Sequence, residues 1–182
     1  MDFSNIALAG LILSEGAQNP SGIEEDAWFI PYAWIADLKV PVTNPATAVE
    51  AMTITGNHVL KAGKSPIPLF TAQDKSGMDS ALVGEKYSKM FQPNVKLFQP
   101  QPTVANAANF AIVANLRGIF LIKRPGDEFF TQVGTKGLLA TVKEGSVKFG
   151  DGPTGAPGIE FVGEAASVMP FYIYKGELPA AA

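Results

Sequence analysis

The stretch Arg117-Gly118-Ile119-Phe120-Leu121-Ile122 decides the fold, and it is followed at once by Lys123-Arg124-Pro125-Gly126-Asp127. Four consecutive apolar residues that end at charged residues, proline and glycine are typical of a buried strand entering a turn. Residues 128–133, Glu-Phe-Phe-Thr-Gln-Val, are predicted to return from that turn as the partner strand. The sequence therefore predicts a β-hairpin here.

Apolar and polar residues alternate with a period of two in several other segments, which predicts further strands. Within residues 138–149 the parity of the apolar residues changes between Val142 and Val147, and a β-bulge at Gly145 would reconcile the two halves. With the hairpin, the alternating segments make about eight strands. They are residues 52–55, 86–91, 95–97, 138–149, 159–161 and 171–174.

One segment departs from this pattern and predicts an α-helix over residues 104–116. It is rich in alanine, contains neither glycine nor proline, and has apolar residues at helical spacing. Thr103 is the expected N-cap, and Arg117 with Gly118 provides a cation and a left-handed cap at the other end. The predicted fold is mainly β: a β-sandwich or barrel of about eight strands with one flanking α-helix.

Residues 1–50 show no sustained periodicity, unlike the rest of the chain, because prolines interrupt their apolar runs. These are Pro20, Pro31, Pro41 and Pro45. We expect an irregular N-terminal arm over residues 1–50 and the β domain over residues 51–182. Residues 28–35 of this arm contain both tryptophans of the chain, and such an apolar patch has to be covered. It either covers the chain's own core or anchors a neighbouring subunit, in which case Trp28, Phe29 and Trp34 make inter-subunit contacts.

The bulk composition limits the function classes. A chain of 182 residues holds one domain with an arm. Its charged fraction of 17% lies below the roughly 25% of an average soluble domain, and surfaces buried between subunits are depleted in charge. A net charge of −3 disfavours phosphate-backbone binding. We expect no membrane partner and no export signal, since no apolar run is long enough for a span and Asp2 stands where a signal peptide needs a cation.

Residues capable of catalysis are few. With no cysteine in the chain, thiolate nucleophiles and Cys-ligated metals are excluded, and His58 is the sole histidine. His58 has no nucleophile signature around it, so we expect it to be structural. Carboxylates cluster at residues 24–26, at Asp127 with Glu128, and at Asp151, without a positioned base. The sequence predicts a protein that is not an enzyme and needs no cofactor or metal.

Two glycine-rich motifs resemble nucleotide sites and fail on their context. Residues 150–155 match G-x-G-x-x-G, but Pro153 and Pro157 prevent the helix that must follow. Gly63-Lys64-Ser65 resembles the end of a P-loop, but Pro66 and Pro68 follow it and His58 stands where its first glycine is required. We interpret both as loops.

In their order along the chain, several short motifs resemble the tail-tube proteins of tailed phages, particularly a type associated with Bacteroidetes hosts. The resemblance covers residues 52–178, and the first 50 residues do not align with it. The motifs are Thr53-Ile54-Thr55-Gly56-Asn57-His58, Lys61-Ala62-Gly63-Lys64, Leu69-Phe70-Thr71-Ala72-Gln73-Asp74, Val83-Gly84-Glu85, Phe98-Gln99-Pro100, the helix end at residues 111–115, Ile119-Phe120-Leu121-Ile122, Gly158-Ile159-Glu160-Phe161 and residues 171–178.

The resemblance implies a virion structural protein made in the host cytoplasm. Copies of the chain would form hexameric rings that stack into a tail tube, bind other tail or virion proteins, and let DNA pass without specific binding. Six chains, each with a net charge of −3, carry −18 together, a sign that repels DNA from the lumen wall. The expected inter-subunit or inter-ring contacts are the long strand around residues 87–97 and the loop of residues 150–158. The residues singled out in them are Tyr87, Phe91, Gly150, Asp151, Gly152 and Gly155.

Other functions stay open. A capsid decoration or connector protein has the same composition but binds a preformed lattice. A non-viral carbohydrate-binding module is the next alternative, because Trp28, Trp34, Tyr172 and Tyr174 could stack on sugar rings. A hydrolase that uses Asp127, Glu128 or Asp151 ranks last.

Overall fold

The computed structural model describes residue 6 and residues 10–11, 20–150 and 155–179. Within these residues the predicted fold is confirmed: it is mainly β, with one flanking helix. The described residues form twelve strands instead of about eight, and several of them are only two to four residues long. The strands are β1 Asp26–Pro31, β2 Ile35–Asp37, β3 Thr53–Ile54, β4 Val59–Leu60, β5 Ile67–Phe70, β6 Gly77–Val83, β7 Met90–Pro100, β8 Arg117–Ile122, β9 Phe130–Val133, β10 Ala140–Lys148, β11 Gly158–Glu164 and β12 Tyr172–Tyr174, and the helices are α1 Ala48–Ala51 and α2 Val104–Val113. Neither of these helices is long and apolar enough to cross a membrane.

Ten strands form one sheet in the order β3-β12-β9-β8-β10-β11-β7-β6, with β1 paired to β8 and β5 paired to β1. β2 and β4 form a separate two-stranded sheet. After β5, the Ala72 N–H donates to the carbonyl oxygen of Phe98 in β7 at 2.8 Å. The Phe98 N–H donates to Thr71 Oγ1 at 3.2 Å. Strands β5, β1, β8, β10, β11 and β7 are therefore joined in a ring, as in a small barrel.

Strand β8 lies between two hydrophobic cores. Phe120 and Ile122 belong to the first core and Ile119 and Leu121 to the second, and all four side chains are buried. This explains why the sequence of the strand is continuously apolar instead of alternating. The predicted hairpin is confirmed, because β9 pairs antiparallel with β8 and Phe120 lies opposite Val133.

The first core is enclosed by the ring of strands and by α2. The second core lies on the other face of β1 and β8, under β3, β12 and the small sheet. The buried residues of the first core are Ile23, Ala27, Phe29, Val95, Leu97, Val113, Phe120, Ile122, Val133, Ala140, Ile159, Phe161 and Ala165. Those of the second are Ile30, Ile35, Leu38, Ile54, Leu60, Ile119, Leu121, Tyr172 and Tyr174.

The aromatic segment of the first 50 residues is part of the sheet. β1 lies between β5 and β8, with Phe29 opposite Ile67 on one side and Phe120 on the other. The prediction of an irregular arm over residues 1–50 is therefore wrong for residues 26–31, which are a strand of the main sheet. The prolines that suggested an arm are compatible with a strand here. β1 is six residues long, and Pro31 is its last residue, so no proline interrupts the strand.

Three local predictions need correction. α2 begins after Thr103 as predicted, with the Asn106 N–H donating to Thr103 Oγ1, but it ends at Val113 instead of residue 116. Gly118 is a residue of β8 and not a helix cap; a Cβ on it would overlap the carbonyl oxygen of Ile30. The β-bulge lies between Val142 and Glu144 instead of at Gly145.

We expect Gly118→Ala to destabilise the fold by about 3 kcal/mol, because the added methyl group would push apart the two most buried strands. Gly77→Ala is the matched control: Gly77 is also in a strand, but a Cβ there has no atom within 4 Å. The control should change the free energy of unfolding by less than about 1 kcal/mol. Urea denaturation of both variants checks this, and equal midpoints for the two would contradict the role given to Gly118.

Candidate inter-subunit surfaces

Two long hairpins share the sheet around β7. In the first, β6 pairs with β7 from Gly77 opposite Lys96 to Val83 opposite Met90. In the second, β10 and β11 form the hairpin and β11 pairs with β7 from Gly158 opposite Pro100 to Glu164 opposite Asn94. The turn of the first hairpin thus lies beside the start of β7 and that of the second beside its end. Eleven residues of strand separate these ends by about 36 Å.

The turn of the β6–β7 hairpin, residues 84–89, carries Tyr87 on its tip. Tyr87 is 93% exposed and has φ 69°, a conformation that is strained for a bulky residue. The strand predicted from residue 86 was wrong at its start, because Gly84, also at positive φ, turns the chain there and a Cβ on it would overlap Ser88. Leu82 beside the turn is exposed as well. This tip is an apolar projection.

Phe91 is held within the fold. It is half-buried, and its N–H and carbonyl oxygen both bond to Ser167, each at 2.8 Å. These bonds fix the segment after β11 to β7. Because both bonds are made by the backbone, a side-chain substitution at Phe91 would leave them in place. The inter-subunit contact predicted for Phe91 stays a prediction.

The turn of the β10–β11 hairpin carries the second apolar projection, because Phe149 is 81% exposed and Val147 is also exposed. Gly150 at this turn has φ 85°, and Gly155 lies next to it. The predicted contacts Asp151 and Gly152 lie outside the described residues. Gly158 belongs to β11 and packs on Phe98, so the loop proper ends at residue 157.

The three residues of the aromatic segment that were predicted to make inter-subunit contacts, Trp28, Phe29 and Trp34, differ in their exposure. Phe29 has no exposed surface and is unavailable to a partner, which corrects that prediction. Trp28 packs edge-on against Phe130, with ring centroids 5.3 Å apart. Trp34 is half-buried, and Lys64 Nζ lies 5.0 Å from its ring centroid. Trp28 and Trp34 therefore cover the chain's own second core and the loop beside it.

An ion-paired surface runs across β7, β10 and β11. Glu160 binds Lys148 Nζ at 2.7 Å and Lys96 Nζ at 2.9 Å, while Lys143 binds Glu164 at 2.6 Å. The hydrogen bonds from Lys148 and Lys96 lower the pKa of Glu160 to about 2. These cations are each held by a carboxylate, so the surface does not present them freely to phosphates.

Helix α2 has an exposed face without charge. Its ten residues, Val-Ala-Asn-Ala-Ala-Asn-Phe-Ala-Ile-Val, include no acid or base. Val104 and Ile112 are exposed two turns apart, while Val113 is buried and Phe110 packs on Phe161 and leaves no room for a side chain at Gly145. The helix therefore closes the first core with one face and presents a weakly polar face to the outside.

His58 is a structural residue in a fully bonded network. It is buried, its Nδ1 accepts from the Lys39 N–H at 3.1 Å, and its Nε2 lies 2.8 Å from Gln132 Oε1. Since Nδ1 accepts, Nε2 carries the proton and donates. The ring stacks on Tyr174 at 4.3 Å, and the Tyr174 hydroxyl accepts from the His58 N–H and donates to the carbonyl of Glu177. These bonds tie β12 and the C-terminal segment to the second core.

The other candidate carboxylates that the structure describes lie at separate places in the fold. Asp127 is paired with Arg124 across the β8–β9 turn, with Nε to Oδ2 at 2.8 Å. Asp26 is exposed at the start of β1, and Asp151 is outside the described residues. Among the residues that the structure describes, no group of three or more histidines and carboxylates is placed to hold a metal ion.

The network around His58 predicts a pH-dependent stability. Burial lowers the pKa of His58 in the folded chain, while the unfolded chain takes up its proton near the ordinary value of about 6.5. The unfolded state therefore binds more protons below that pH, and the free energy of unfolding should fall as the pH drops below about 6.5. His58→Gln should be less stable but lack this slope. Urea denaturation at several pH values tests it, and an equal slope in both proteins would contradict it.

Comparisons with known proteins add no identification. No family model, no curated protein and no solved structure matches this chain.

Proposed function

We propose that this chain is a virion structural protein, a tail tube subunit that assembles into stacked hexameric rings around a DNA conduit. The observation that carries the proposal is the placement of two apolar projections, at Tyr87 and Phe149, at opposite ends of one long strand. Each tip groups an exposed aromatic residue with an exposed aliphatic one, Tyr87 with Leu82 and Phe149 with Val147, and grouped exposed apolar residues mark interaction sites.

The geometry supports a head-to-tail contact between different surfaces. A contact between two unlike patches of identical chains generates rings when the rotation closes and filaments when it does not. The turns of the two hairpins are unlike in sequence and lie about 36 Å apart along the strand direction, so one can meet a ring above and the other a ring below. The number of six subunits per ring is taken from the resemblance to tail-tube proteins.

The ion-paired surface formed by Lys96, Lys143, Lys148, Glu160 and Glu164 suits the wall of a conduit. It is polar, and each of its lysines is already bonded to a carboxylate. The two carboxylates offset two of the three lysine charges, which weakens the attraction of such a wall for phosphates. The net charge of −3 per chain acts in the same direction.

The carbohydrate-binding alternative loses support. Tyr172 and Tyr174 are buried in the second core, and Trp28 is packed against Phe130. Sugar-binding platforms need flat aromatic faces that are open to solvent. A capsid decoration protein differs from the proposal mainly in requiring a preformed lattice.

Negative-stain electron microscopy of the purified chain, with mass measurement in solution, tests the proposal. We expect rings or stacked tubes that contain only this chain. A capsid decoration protein would remain unassembled alone and bind only to capsids. A monomer that persists up to millimolar concentration would contradict self-assembly.

Tyr87→Gly should reduce assembly without weakening the fold. Glycine tolerates the positive φ at this position, so the folded chain should gain up to about 1 kcal/mol while it loses the projecting ring. Phe149→Ser should weaken assembly from the opposite end. Val49→Ser is the control, since Val49 is an exposed residue of α1, which packs on β3. Sedimentation and thermal unfolding check this; assembly equal to that of the control would contradict the role of the two tips.

A further inference from the structure

A groove of about 440 Å³ lies between the outer edge of β6 and the segments that flank β8 and β12. Gly77 to Ser80 form one wall, while Ile122, Thr131 and Phe171 contribute to the other. Residues 20–23 also line this groove. They are held in place by the buried Ile23 and by the Glu24 N–H, which donates to the carbonyl oxygen of Lys123.

Among the residues that the structure describes, no strand pairs with the backbone along this groove, which is the outer edge of β6. Phe91 bonds to Ser167 and Pro93 accepts from Ala165, so odd-numbered residues of β7 face away from β6. In the β6–β7 ladder, Asp79 opposite Asn94 and Ala81 opposite Gln92 are therefore the hydrogen-bonded pairs. The alternate residues of β6 point their N–H and carbonyl groups outward. They are Met78, Ser80 and Leu82.

This edge has little of the usual protection against strand addition, since Asp79 is its one charged residue. Strand β6 has no bulge in its pairing with β7, and its sequence, Gly-Met-Asp-Ser-Ala-Leu-Val, contains neither lysine nor proline. Natural proteins blunt or cover such edges because an unpaired edge invites another strand. In the groove, Ser80 Oγ is also buried and has no hydrogen-bond partner among the described residues. Both features indicate that something pairs here.

The chain contains a segment suited to this edge. Residues 6–13, Ile-Ala-Leu-Ala-Gly-Leu-Ile-Leu, are eight uncharged residues, long enough to pair with the seven residues of β6. Leu11 is fully exposed within its own chain. A leucine that its own fold leaves in water is available to a groove on another molecule.

We propose that residues 6–13 of a second copy add as a strand to the free edge of β6 and fill this groove. Backbone bonds to Met78, Ser80 and Leu82 would provide affinity, and the apolar side chains would enter the groove, as in other cases of strand addition. This contact rests on the proposed self-assembly and names one of its interfaces. It shares Leu82 with the tip that carries Tyr87 and is otherwise separate from the contacts of the two hairpin tips.

The absence of cysteine allows a clean cross-linking test. Leu11→Cys and Leu82→Cys are introduced into separate full-length chains, one of which carries a mass tag. The two are mixed under assembly conditions and treated with a short bismaleimide. The control pair combines Leu11→Cys with Val49→Cys, which places the second thiol at an exposed residue of α1. We expect the first pair to give at least about ten times more mixed dimer, since a strand contact raises the local concentration far above that of random encounter.

A second variant pair tests the backbone bonds. Ser80→Pro removes an outward N–H and leaves the ladder to β7 intact, whereas Ser80→Ala keeps that N–H. In the Leu82→Cys chain, Ser80→Pro should lower the cross-link about tenfold relative to Ser80→Ala, the factor expected for one lost hydrogen bond. Circular dichroism confirms that both variants are folded.

The outcomes separate this contact from the tube itself. Rings or tubes with a cross-link no stronger than the control overturn the contact and leave the proposed function standing. Mixed dimers without rings support the contact and contradict the tube. A chain carrying both cysteines that cross-links within itself, as a monomer, shows that the segment folds back on its own groove and overturns the second copy as occupant.

Discussion

The close approach of β1 and β8 is the constraint on which the rest of the fold depends. Gly118 lies against the carbonyl of Ile30, and no other residue leaves room for that contact. With the two strands paired, Phe29 and Phe120 point into the first core while Ile30 and Ile119 point into the second. One ladder of hydrogen bonds therefore supports two separate hydrophobic layers, and its loss would expose both at once.

The second core is also held together by polar contacts. His58, Gln132 and Tyr174 come from three distant parts of the sequence, and each finds its hydrogen-bond partners inside the protein. A buried polar group without a partner would be destabilising, so such a network specifies one arrangement of the loop, β9 and β12. Packing and hydrogen bonding therefore account for the buried position of the sole histidine of the chain.

Features with a local cause could be predicted from the sequence. The apolar run of β8 with its turn, the N-cap at Thr103 and the alternation in β11 each depend on neighbouring residues, and each is found in the structure. Features that depend on distant pairing could not. Alternation continues through residues 86–91 although the chain turns there, and only Gly84 signalled the turn; β1 was hidden because its flanking prolines suggested an arm. The place of Phe149 at the far end from Tyr87 follows from strand register, which no local pattern reveals.

The hairpins and the free edge of β6 have a common physical origin. β7 is longer than its neighbours, so β6 covers only residues 90–96 of one side and β11 only residues 94–100 of the other. Each end of β7 thus extends beyond one partner, and the hairpin turns carry their apolar residues beyond the barrel. The barrel closes through Thr71, Ala72 and Phe98, near the end of β7. The described part of the chain leaves the two hairpin tips, the edge of β6 and the uncharged face of α2 exposed, and such surfaces are what a subunit needs if its neighbours complete the structure.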